Sequence, residues 1–516
     1  MRKIVFYTLS TLTTALALLA GCSKNISGRT DNIAQLNPAN TDIDAGSWKP
    51  VLLSRPDTFA VLAPAATNSP AYTAELNEIK SAQQDITDAR KAIIKYWSAG
   101  AVLRWNEILR TLVAKYNLPP YQNADGSYPI PSSLYPFAYP QFPFSNPPYA
   151  ARAFAYVSAA EYDALVAAWY YKKLYNRSAP YKVDSSVNAL IPRSELPSYP
   201  SEDAVLAGTM AEMMKALFPT ELDFIQQKVD EAENYRIWSG ANVRSDIVAG
   251  EALGRQVAAV FMARAKADNA GKAVGTPDQW LGLETQTAAK GQTPWFSLEV
   301  PKRNPMLPFF GNVKAFLFDS ATCVMLRPGP PPSTNSDEMK KETAETHSYI
   351  TNPSREQMRI VQYWADGIGT YTPPGHWNAI AAEDFVTKNF SEVRWARNMA
   401  LLNMAIMDAG IVCWNTKYYY YNPRPTQMDS SIKTLTGIPN FPSYISGHAT
   451  FSGAAATILA HIIPEKADTY MAMATQASMS RLYAGIHFPI DCSTGLTVGQ
   501  HVGSYAVKRA QSDGAE

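Results

Sequence analysis

The sequence predicts an all-α protein built from helical bundles, and three observations support this class. Hydrophobic residues make up 46% of the 516-residue chain and charged residues 18%, a composition typical of folded, globular proteins. Apolar residues recur at roughly helical spacing over long stretches, as with Leu76, Ile79 and Ile86. Alternating strand patterns are few, and no sequence repeat of fixed period is found. These features together favour a bundle-type architecture.

The first 22 residues have the features of an export signal. Arg2 and Lys3 precede an apolar stretch that is short for a membrane span, and it ends in Leu-Ala-Gly-Cys at residues 19–22. This ending resembles a bacterial lipobox, with an ordinary secretory signal peptide as the alternative. The resemblance implies lipidation of Cys22 and an exported protein anchored to a bacterial membrane, facing the periplasm or the cell surface. Residues 23–71, rich in Asn, Asp, Ser, Thr and Pro, are predicted to be a tether.

Residues 72–370 are predicted to form an N-terminal helical region. One or two long helices are expected over 72–117, and further helices are expected over 150–175, 201–217, 221–240, 245–269 and 354–367. The Pro- and Tyr-rich stretch 118–149 cannot be helical, and its aromatic content predicts an extended segment laid over the helices. Residues 269–330 show weak periodicity, which predicts a long irregular excursion.

Residues 371–516 are predicted to form the catalytic domain, with helices over 381–416, 447–463, 465–483 and 491–510. The stretch Thr-Pro-Pro-Gly-His-Trp-Asn at 372–378 is expected to be a polar–aromatic loop before these helices. All six histidines follow position 346, and histidine is the side chain most used for proton transfer near neutral pH. Chemistry is therefore expected in the last third of the chain. Cys323, Cys413 and Cys492 are expected to be free, mostly buried thiols.

A net charge of +1 argues against general nucleic-acid binding, so any anion site must be local. The first of three candidate segments runs from Lys417 to Pro425. Lys417 and Arg424 are seven residues apart, close to two helical turns, so both side chains can face one pocket. A surface pair beside a Tyr-rich face is the alternative.

The second segment is a Ser446-Gly447-His448 turn that opens a predicted helix. Free backbone N–H groups and the positive end of the helix dipole make such a turn a ready anion site. Ser446 acting only as an N-cap, with His448 an ordinary first-turn residue, is the alternative.

The third segment places His487 and Asp491 four residues apart, on one face of a helical turn, with Arg481 six residues earlier. A carboxylate bonded to one ring nitrogen fixes the tautomer and raises the basicity of the other nitrogen. A nucleophilic or metal-ligating histidine requires this arrangement.

Taken in order, the three segments resemble the PAP2 superfamily, which joins vanadium-dependent haloperoxidases to type-2 phosphatidic acid phosphatases and bacterial class A acid phosphatases. The family pattern is Lys-x6-Arg-Pro, then Pro-Ser-Gly-His, then Ser-Arg-x5-His-x3-Asp. Every element is matched except that Ile445 stands where the second motif usually has Pro. The resemblance implies a PAP2-like catalytic bundle, here with an additional N-terminal helical region.

The resemblance also implies a role for each matched residue. The oxyanion, vanadate or phosphate, would be held by Lys417, Arg424, Ser446, Gly447 and Arg481. His487 would bind vanadium in a haloperoxidase or attack phosphorus in a phosphatase, and Asp491 would orient it. His448 would be the acid–base on the opposite side. The cofactor would be vanadate for a haloperoxidase, whereas a phosphatase would need none.

The layout favours the haloperoxidase branch, because about 300 residues of predicted helices precede the motifs. Trp414 and Phe441 match aromatic positions around the chloroperoxidase halide site, and His376 is a further candidate for the pocket wall. The substrates would then be peroxide and a halide. A phosphatase acting on phosphate esters is the alternative, because the same cradle needs no extra group for hydrolysis. A non-enzymatic, glycan-binding surface lipoprotein is a distant third, and the oligomeric state is left open.

Overall fold

A computed structural model describes residues 33–118, 123–125, 146–299 and 302–516. The predicted signal peptide, Cys22 and most of the Pro- and Tyr-rich stretch 118–149 therefore lie outside the described residues. Residues Leu36–Glu516 form one compact unit, and Met1–Gln35 are assigned to a second unit of which only residues 33–35 are described. The division at residues 370 and 371 stays a prediction.

The described residues contain helices and no strand, which confirms the predicted all-α class. The helices are α1 (Pro70–Gln84), α2 (Asp88–Trp97), α3 (Ala101–Tyr116), α4 (Pro147–Tyr175), α5 (Pro180–Val183), α6 (Glu202–Leu217), α7 (Leu222–Trp238), α8 (Arg244–Lys266), α9 (Pro277–Ala289), α10 (Ser320–Met325), α11 (Asp337–Thr351), α12 (Arg355–Tyr363), α13 (Thr372–Lys388), α14 (Glu392–Tyr420), α15 (Pro425–Met428), α16 (Gly447–Ile462), α17 (Ala467–Tyr483) and α18 (Pro489–Ala510).

Helix α14 is the centre of the fold and packs against α4, α16 and α18. Its N-cap is Ser391, whose hydroxyl accepts the Arg394 N–H, and it ends where Tyr421 adopts a left-handed conformation. The helix is apolar on nearly every face. Its length and composition alone would allow it to cross a membrane. Its most apolar window, however, is 94% buried inside the protein. Helix α14 is therefore a core helix, apolar all round because it is surrounded by protein.

A buried amide network ties α14 to its neighbours. Asn378 on α13 and Asn403 on α14 exchange side-chain hydrogen bonds of 2.7 and 2.9 Å. Asn106 on α3 donates to Asn378, and Asn403 donates to Ser158 on α4. Two consecutive helix pairs that are far apart in sequence, α3 with α4 and α13 with α14, are thus held together by paired polar groups in an apolar core.

Helices α16 and α18 lie unusually close together, and this approach positions two of the motifs. A Cβ atom added at Gly453 would clash with the Leu496 carbonyl oxygen, and one at Gly499 would clash with that of Thr450. Glycine is therefore needed at these contacts. The result is that the Ser446 turn and the first turn of α18 face each other.

The segment from residue 36 to 69 differs from the predicted tether because it packs on the helices. The buried Asp163 carboxylate on α4 accepts the backbone N–H groups of residues 51, 52 and 53. Farther along the segment, three carbonyl oxygens accept hydrogen bonds from tyrosine hydroxyls of the helical body. The pairs, donor first, are Tyr171–Phe59, Tyr175–Val61 and Tyr199–Leu62. The polar composition suggested a segment whose backbone is hydrated by solvent. Instead, side chains of the helical body form hydrogen bonds with its backbone N–H and C=O groups.

Three other predictions of local structure are wrong. Residues 72–117 lie in three helices, because Thr87 caps α2 and Gly100, with φ of 122°, separates α2 from α3. The stretch 269–330, predicted to be irregular, contains α9 and α10. Helix α11, which follows that stretch, was not predicted. Residues 372–378 begin α13 instead of forming a loop, because prolines are well tolerated in a first helical turn, where N–H groups need no partner. Cys323, Cys413 and Cys492 are buried free thiols, as predicted.

Candidate active site

The second and third predicted segments line one cavity of about 370 Å³, and Lys417 and Arg424 of the first segment lie against Phe441 in its wall. The last turn of α14 supplies Lys417, the N-cap of α15 supplies Arg424, and the last turn of α17 supplies Arg481. The N-terminus of α16 supplies Ser446, Gly447 and His448, and the start of α18 supplies Asp491 with His487 just before it. Residues spread over 75 positions of sequence are thus brought to a single site.

Lys417 is held by backbone carbonyls alone. Its Nζ atom donates to the carbonyl oxygens of Pro442 and Ser443 at 2.8 and 2.7 Å. The side chain is completely buried, and burial lowers its pKa to about 7, with the neighbouring Arg424 acting in the same direction.

Arg424 connects the second segment to the third. Its Nε and Nη2 atoms donate to the Phe441 carbonyl oxygen at 3.0 and 2.8 Å. Its Nη1 atom donates to the Ile486 carbonyl oxygen at 2.8 Å and faces Nε2 of His487 at 3.0 Å. Burial lowers the pKa of Arg424 to about 10, so the guanidinium remains charged at neutral pH.

Arg481 completes the set of buried cations. Its Nε atom donates to the Ser480 hydroxyl at 2.8 Å and its Nη2 atom to the Val361 carbonyl oxygen at 3.3 Å. Burial lowers its pKa to about 10. Among the described residues, none of the three cations forms an ion pair with a carboxylate. The site therefore carries buried positive charge that calls for an anion.

His487 presents a neutral imidazole to these cations. Nδ1 lies 2.9 Å from Asp491 Oδ2, and Nε2 faces Arg424, which can only donate. We therefore assign the proton to Nδ1 and the lone pair to Nε2. Burial, together with the charges of Arg424 and Lys417, holds the pKa of His487 well below its usual value. The Nε2 lone pair, which accepts a hydrogen bond from Arg424 in this structure, is what a nucleophile or a metal ligand requires.

Asp491 is held in place by three donors. Oδ2 accepts the His487 N–H, the Phe488 backbone N–H at 3.1 Å and the Ser443 hydroxyl. Its carboxylate is fully buried, and burial raises its pKa. Ser443 was not identified from the sequence, because a serine inside an aromatic and proline-rich stretch carries no spacing signal.

Ser446 and Gly447 occupy different positions relative to the cavity. The Ser446 hydroxyl faces the Ala449 N–H at 3.5 Å as the N-cap of α16, and its backbone N–H donates to the Asp491 carbonyl oxygen at 2.9 Å. Gly447 lines the cavity beside the helix N-terminus. The helix begins as expected although Ile445 replaces the usual proline. The oxyanion contact of Ser446 stays a prediction.

His448 lines the same cavity as His487 and is backed by a carboxylate that sequence reasoning missed. Its Nε2 atom lies 3.5 Å from Asp366 Oδ2. Burial and the charge of Arg481 lower the pKa of His448 to about 4, against the opposing pull of Asp366. Burial would raise the pKa of Asp366, but its contacts with His376 and His448 outweigh burial and lower it. Asp366 follows α12 in a Gly-rich turn, and only its closeness in sequence to His376 could have drawn attention to it.

His376 does not line the cavity, so its predicted place in the pocket wall is wrong. Its Nδ1 atom bonds Asp366 Oδ1 at 3.0 Å, on the side of the carboxylate away from His448. Its ring lies 4.6 Å from the Trp364 ring and 4.9 Å from the Tyr363 ring. Because residues 372–378 are helical, His376 turns toward α12 and supports Asp366 from behind.

Trp414 and Phe441 do line the cavity, with their rings 5.0 Å apart. The Phe441 ring lies 5.0 Å from Lys417 Nζ and 5.0 Å from Arg424 Cζ, so it covers both cations. Trp414 Nε1 donates to the Met306 carbonyl oxygen at 3.2 Å. The pair therefore forms an aromatic wall beside the cations, and its contact with a halide stays a prediction.

The fold and the site define a helical domain in which two histidines, His448 and His487, line one cavity beside buried Lys417, Arg424 and Arg481. Comparison with known families agrees, because residues 398–512 match the PAP2 superfamily. The C-terminal part of this chain is therefore similar to the PAP2 superfamily over residues 398–512.

Individual relatives are similar to this chain in sequence or in fold. Vanadium chloroperoxidase from Curvularia inaequalis is 33% identical over an alignment of 198 residues, and the match covers 30% of this chain and about a third (32%) of that relative. The crystal structure of a bacterial vanadium-dependent iodoperoxidase covers 70% of this chain and 91% of its own, with 24% identity and a TM-score of 0.55. That of an apo-type bacterial vanadium-dependent chloroperoxidase covers 71% and 95%, with 14% identity and a TM-score of 0.51. At these identities, the two structures establish a similar fold only.

Proposed function

We propose that this protein is a vanadium haloperoxidase-like enzyme that uses hydrogen peroxide to oxidise a halide at a vanadate held by His487. One observation carries the proposal. Buried Arg424, Arg481 and Lys417 lie near a neutral histidine whose Nε2 faces Arg424, and none of the three is paired with a carboxylate among the described residues. Both arginines are charged at neutral pH, and a bound anion would favour the protonated form of Lys417, whose pKa is about 7. An oxyanion is the counter-charge that fits this arrangement.

The donor set suits vanadate. Lys417, Arg424 and Arg481 would hold its anionic oxygens, and Nε2 of His487 would bind vanadium. When bound, vanadate would act as a Lewis acid that activates hydrogen peroxide toward halide attack. Asp491 keeps the proton of His487 on Nδ1, so that Nε2 remains a donor to the metal.

His448 would take up the proton that peroxide releases. Its pKa of about 4 leaves it neutral at neutral pH, and its Nε2 faces Asp366, so Nδ1 is the acceptor. A phosphatase would need the opposite state, a protonated His448 that gives a proton to the leaving alcohol. A bound anion would itself favour protonated His448, so the reason to prefer the peroxidase is the sequence similarity to vanadium chloroperoxidase.

Trp414 and Phe441 would contact the halide. They border the cavity next to Lys417 and Arg424, whose positive charge would attract an anion. Their rings would also keep water from that side of the site.

Hydrolysis of phosphate monoesters is the second candidate. The observation in its favour is that the cations and the Nε2 lone pair would serve a phosphoryl group without any cofactor. His487 would attack phosphorus to give a phosphohistidine. Asp491 would hold the imidazole in the same tautomer.

His487→Ala tests the proposal at the level of anion binding. We expect the wild-type protein to bind orthovanadate in a calorimetric titration, and His487→Ala to lose that binding together with turnover, because the axial donor is gone. His501→Ala is the matched control, since His501 is an exposed histidine on the same helix α18. Normal vanadate binding and activity in His487→Ala would refute the assignment.

We also propose, from the lipobox-like ending at residues 19–22, that the protein is exported and anchored through a lipid on Cys22. Radiolabelled palmitate should enter the wild-type protein and be absent from Cys22→Ala when both are expressed in a bacterial host. Equal labelling of the two proteins would refute the anchor.

A further inference from the structure

We propose that Ser443 is a positioning residue that fixes the Asp491 carboxylate, and through it the Nδ1–H tautomer of His487. The consequence for catalysis rests on the function proposed above. The hydrogen-bond geometry of Ser443 does not depend on that function.

The Ser443 hydroxyl lies between the two members of the His487–Asp491 pair. Its Oγ atom bonds Asp491 Oδ2 and lies 3.3 Å from His487 Nδ1. Because the carboxylate oxygen is an acceptor, the hydroxyl donates to it. The same Oδ2 atom accepts the His487 N–H, whereas Oδ1 has no hydrogen-bond partner in the described part of the chain.

Because only Oδ2 of Asp491 is hydrogen-bonded among the described residues, the Ser443 hydroxyl helps to determine which carboxylate oxygen faces the imidazole. With Ser443 present, Oδ2 gathers three donors and is fixed toward the imidazole. Without the hydroxyl, less would hold the carboxylate in this orientation, and the constraint on Nδ1 would weaken. A proton on Nε2 would then point at Arg424 Nη1, which is also a donor, and would remove the lone pair that an anion centre needs.

The backbone of Ser443 is held independently of its side chain. Its N–H donates to the Asn422 carbonyl oxygen at 3.0 Å, and its carbonyl oxygen accepts the Lys417 ammonium at 2.7 Å. The residue is fully buried and does not line the cavity. Ser443→Ala therefore removes one oxygen atom and leaves both backbone contacts in place.

Nitrogen-15 NMR of the histidine side chains measures the tautomer directly. In the wild-type protein we expect His487 to show a protonated Nδ1 and an unprotonated Nε2, with the signal assigned by its loss in His487→Ala. In Ser443→Ala we expect a mixture of the two tautomers. Ser452→Ala is the matched control, because Ser452 is a buried serine that bonds Trp377 away from the pair.

Anion affinity supplies a second readout. We expect Ser443→Ala to bind phosphate and orthovanadate about 10- to 100-fold more weakly than the wild-type protein, the usual effect of removing a partner behind a ligating histidine. An unchanged His487 tautomer in folded Ser443→Ala would overturn the positioning role. If the tautomer changes but the wild-type protein binds neither anion, the positioning role holds and the proposed function fails.

Discussion

At the scale of single residues, the site is built from two histidine–carboxylate pairs of opposite character. Asp491 bonds His487 at 2.9 Å and sets its tautomer, whereas Asp366 lies 3.5 Å from His448 and is shared with His376. Both imidazoles are neutral because burial and the surrounding cations disfavour a further positive charge. In the proposed function, His487 would donate its Nε2 lone pair and His448 would take up a proton.

Asp366→Asn should make His448 a weaker base. Removing the carboxylate charge takes away the interaction that favours imidazolium, so the pKa of His448 falls below its value of about 4. A reaction that needs neutral His448 proceeds above that pKa. The acidic limb of the pH–rate profile should therefore move to lower pH in Asp366→Asn. Peroxidase rates from pH 3 to 8 measure this shift.

Asp429→Asn is the matched control for Asp366→Asn, because Asp429 bonds His347 at 3.0 Å outside the site. It should leave the pH profile unchanged. An acidic limb that moves to higher pH in Asp366→Asn would contradict the assigned roles of Asp366 and His448.

At the scale of helices, the sequence was most informative where chemistry and spacing coincide. Lys417 to Arg424 and His487 to Asp491 were predicted as units from spacings close to helical repeats. In the structure neither pair shares a helix, because Arg424 lies beyond the end of α14 and His487 precedes α18. Asp366 and Ser443 were not predicted. Each residue acts through contacts between segments that are distant in sequence. A single sequence does not indicate which distant residues are in contact.

The error at residues 372–378 has a different cause. Two prolines, a glycine and an aromatic residue indicated a loop, but prolines belong naturally in the first turn of a helix. The same composition is compatible with a loop and with the first turn of a helix. Packing of Trp377, which donates to Ser452 on α16, decides in favour of the helix and turns His376 away from the cavity.

Helix α14 also contains a buried carboxylate whose pH dependence can be tested. Asp408 accepts the backbone N–H groups of Phe316 and Leu317, and burial raises its pKa to about 7. Because this value lies above that of an unfolded aspartate, about 4, the folded state binds the proton more tightly. Its contribution to stability is complete below pH 4 and is lost as the pH rises through 7.

Thermal unfolding of Asp408→Asn should therefore show a pH signature. The melting temperature of the wild-type protein, relative to that of Asp408→Asn, should fall between pH 4 and pH 7. Asp88→Asn, at a fully exposed helix position, serves as the control. A difference between wild type and Asp408→Asn that is constant over this range would contradict the raised pKa.

At the scale of the whole molecule, the chain devotes most of its length to supporting one site. Helix α14 carries Lys417 at its end and is surrounded by α4, α16 and α18, so the N-terminal helices pack on the same core as the motifs. The segment from residue 36 to 69 adds a further layer on α4. The all-α class was predictable from periodicity, but this layer was not, because its backbone is satisfied by side chains from distant helices.

The central claim is that the buried cationic centre works as a vanadate-dependent peroxidase. The most direct measurement follows bromination of a phenol dye by purified protein with hydrogen peroxide and bromide, with and without orthovanadate. A parallel sample follows hydrolysis of p-nitrophenyl phosphate without vanadate. We expect bromination that requires vanadate and is absent in His487→Ala. Hydrolysis of the phosphate ester that vanadate inhibits, without bromination, would contradict the claim and identify a phosphatase.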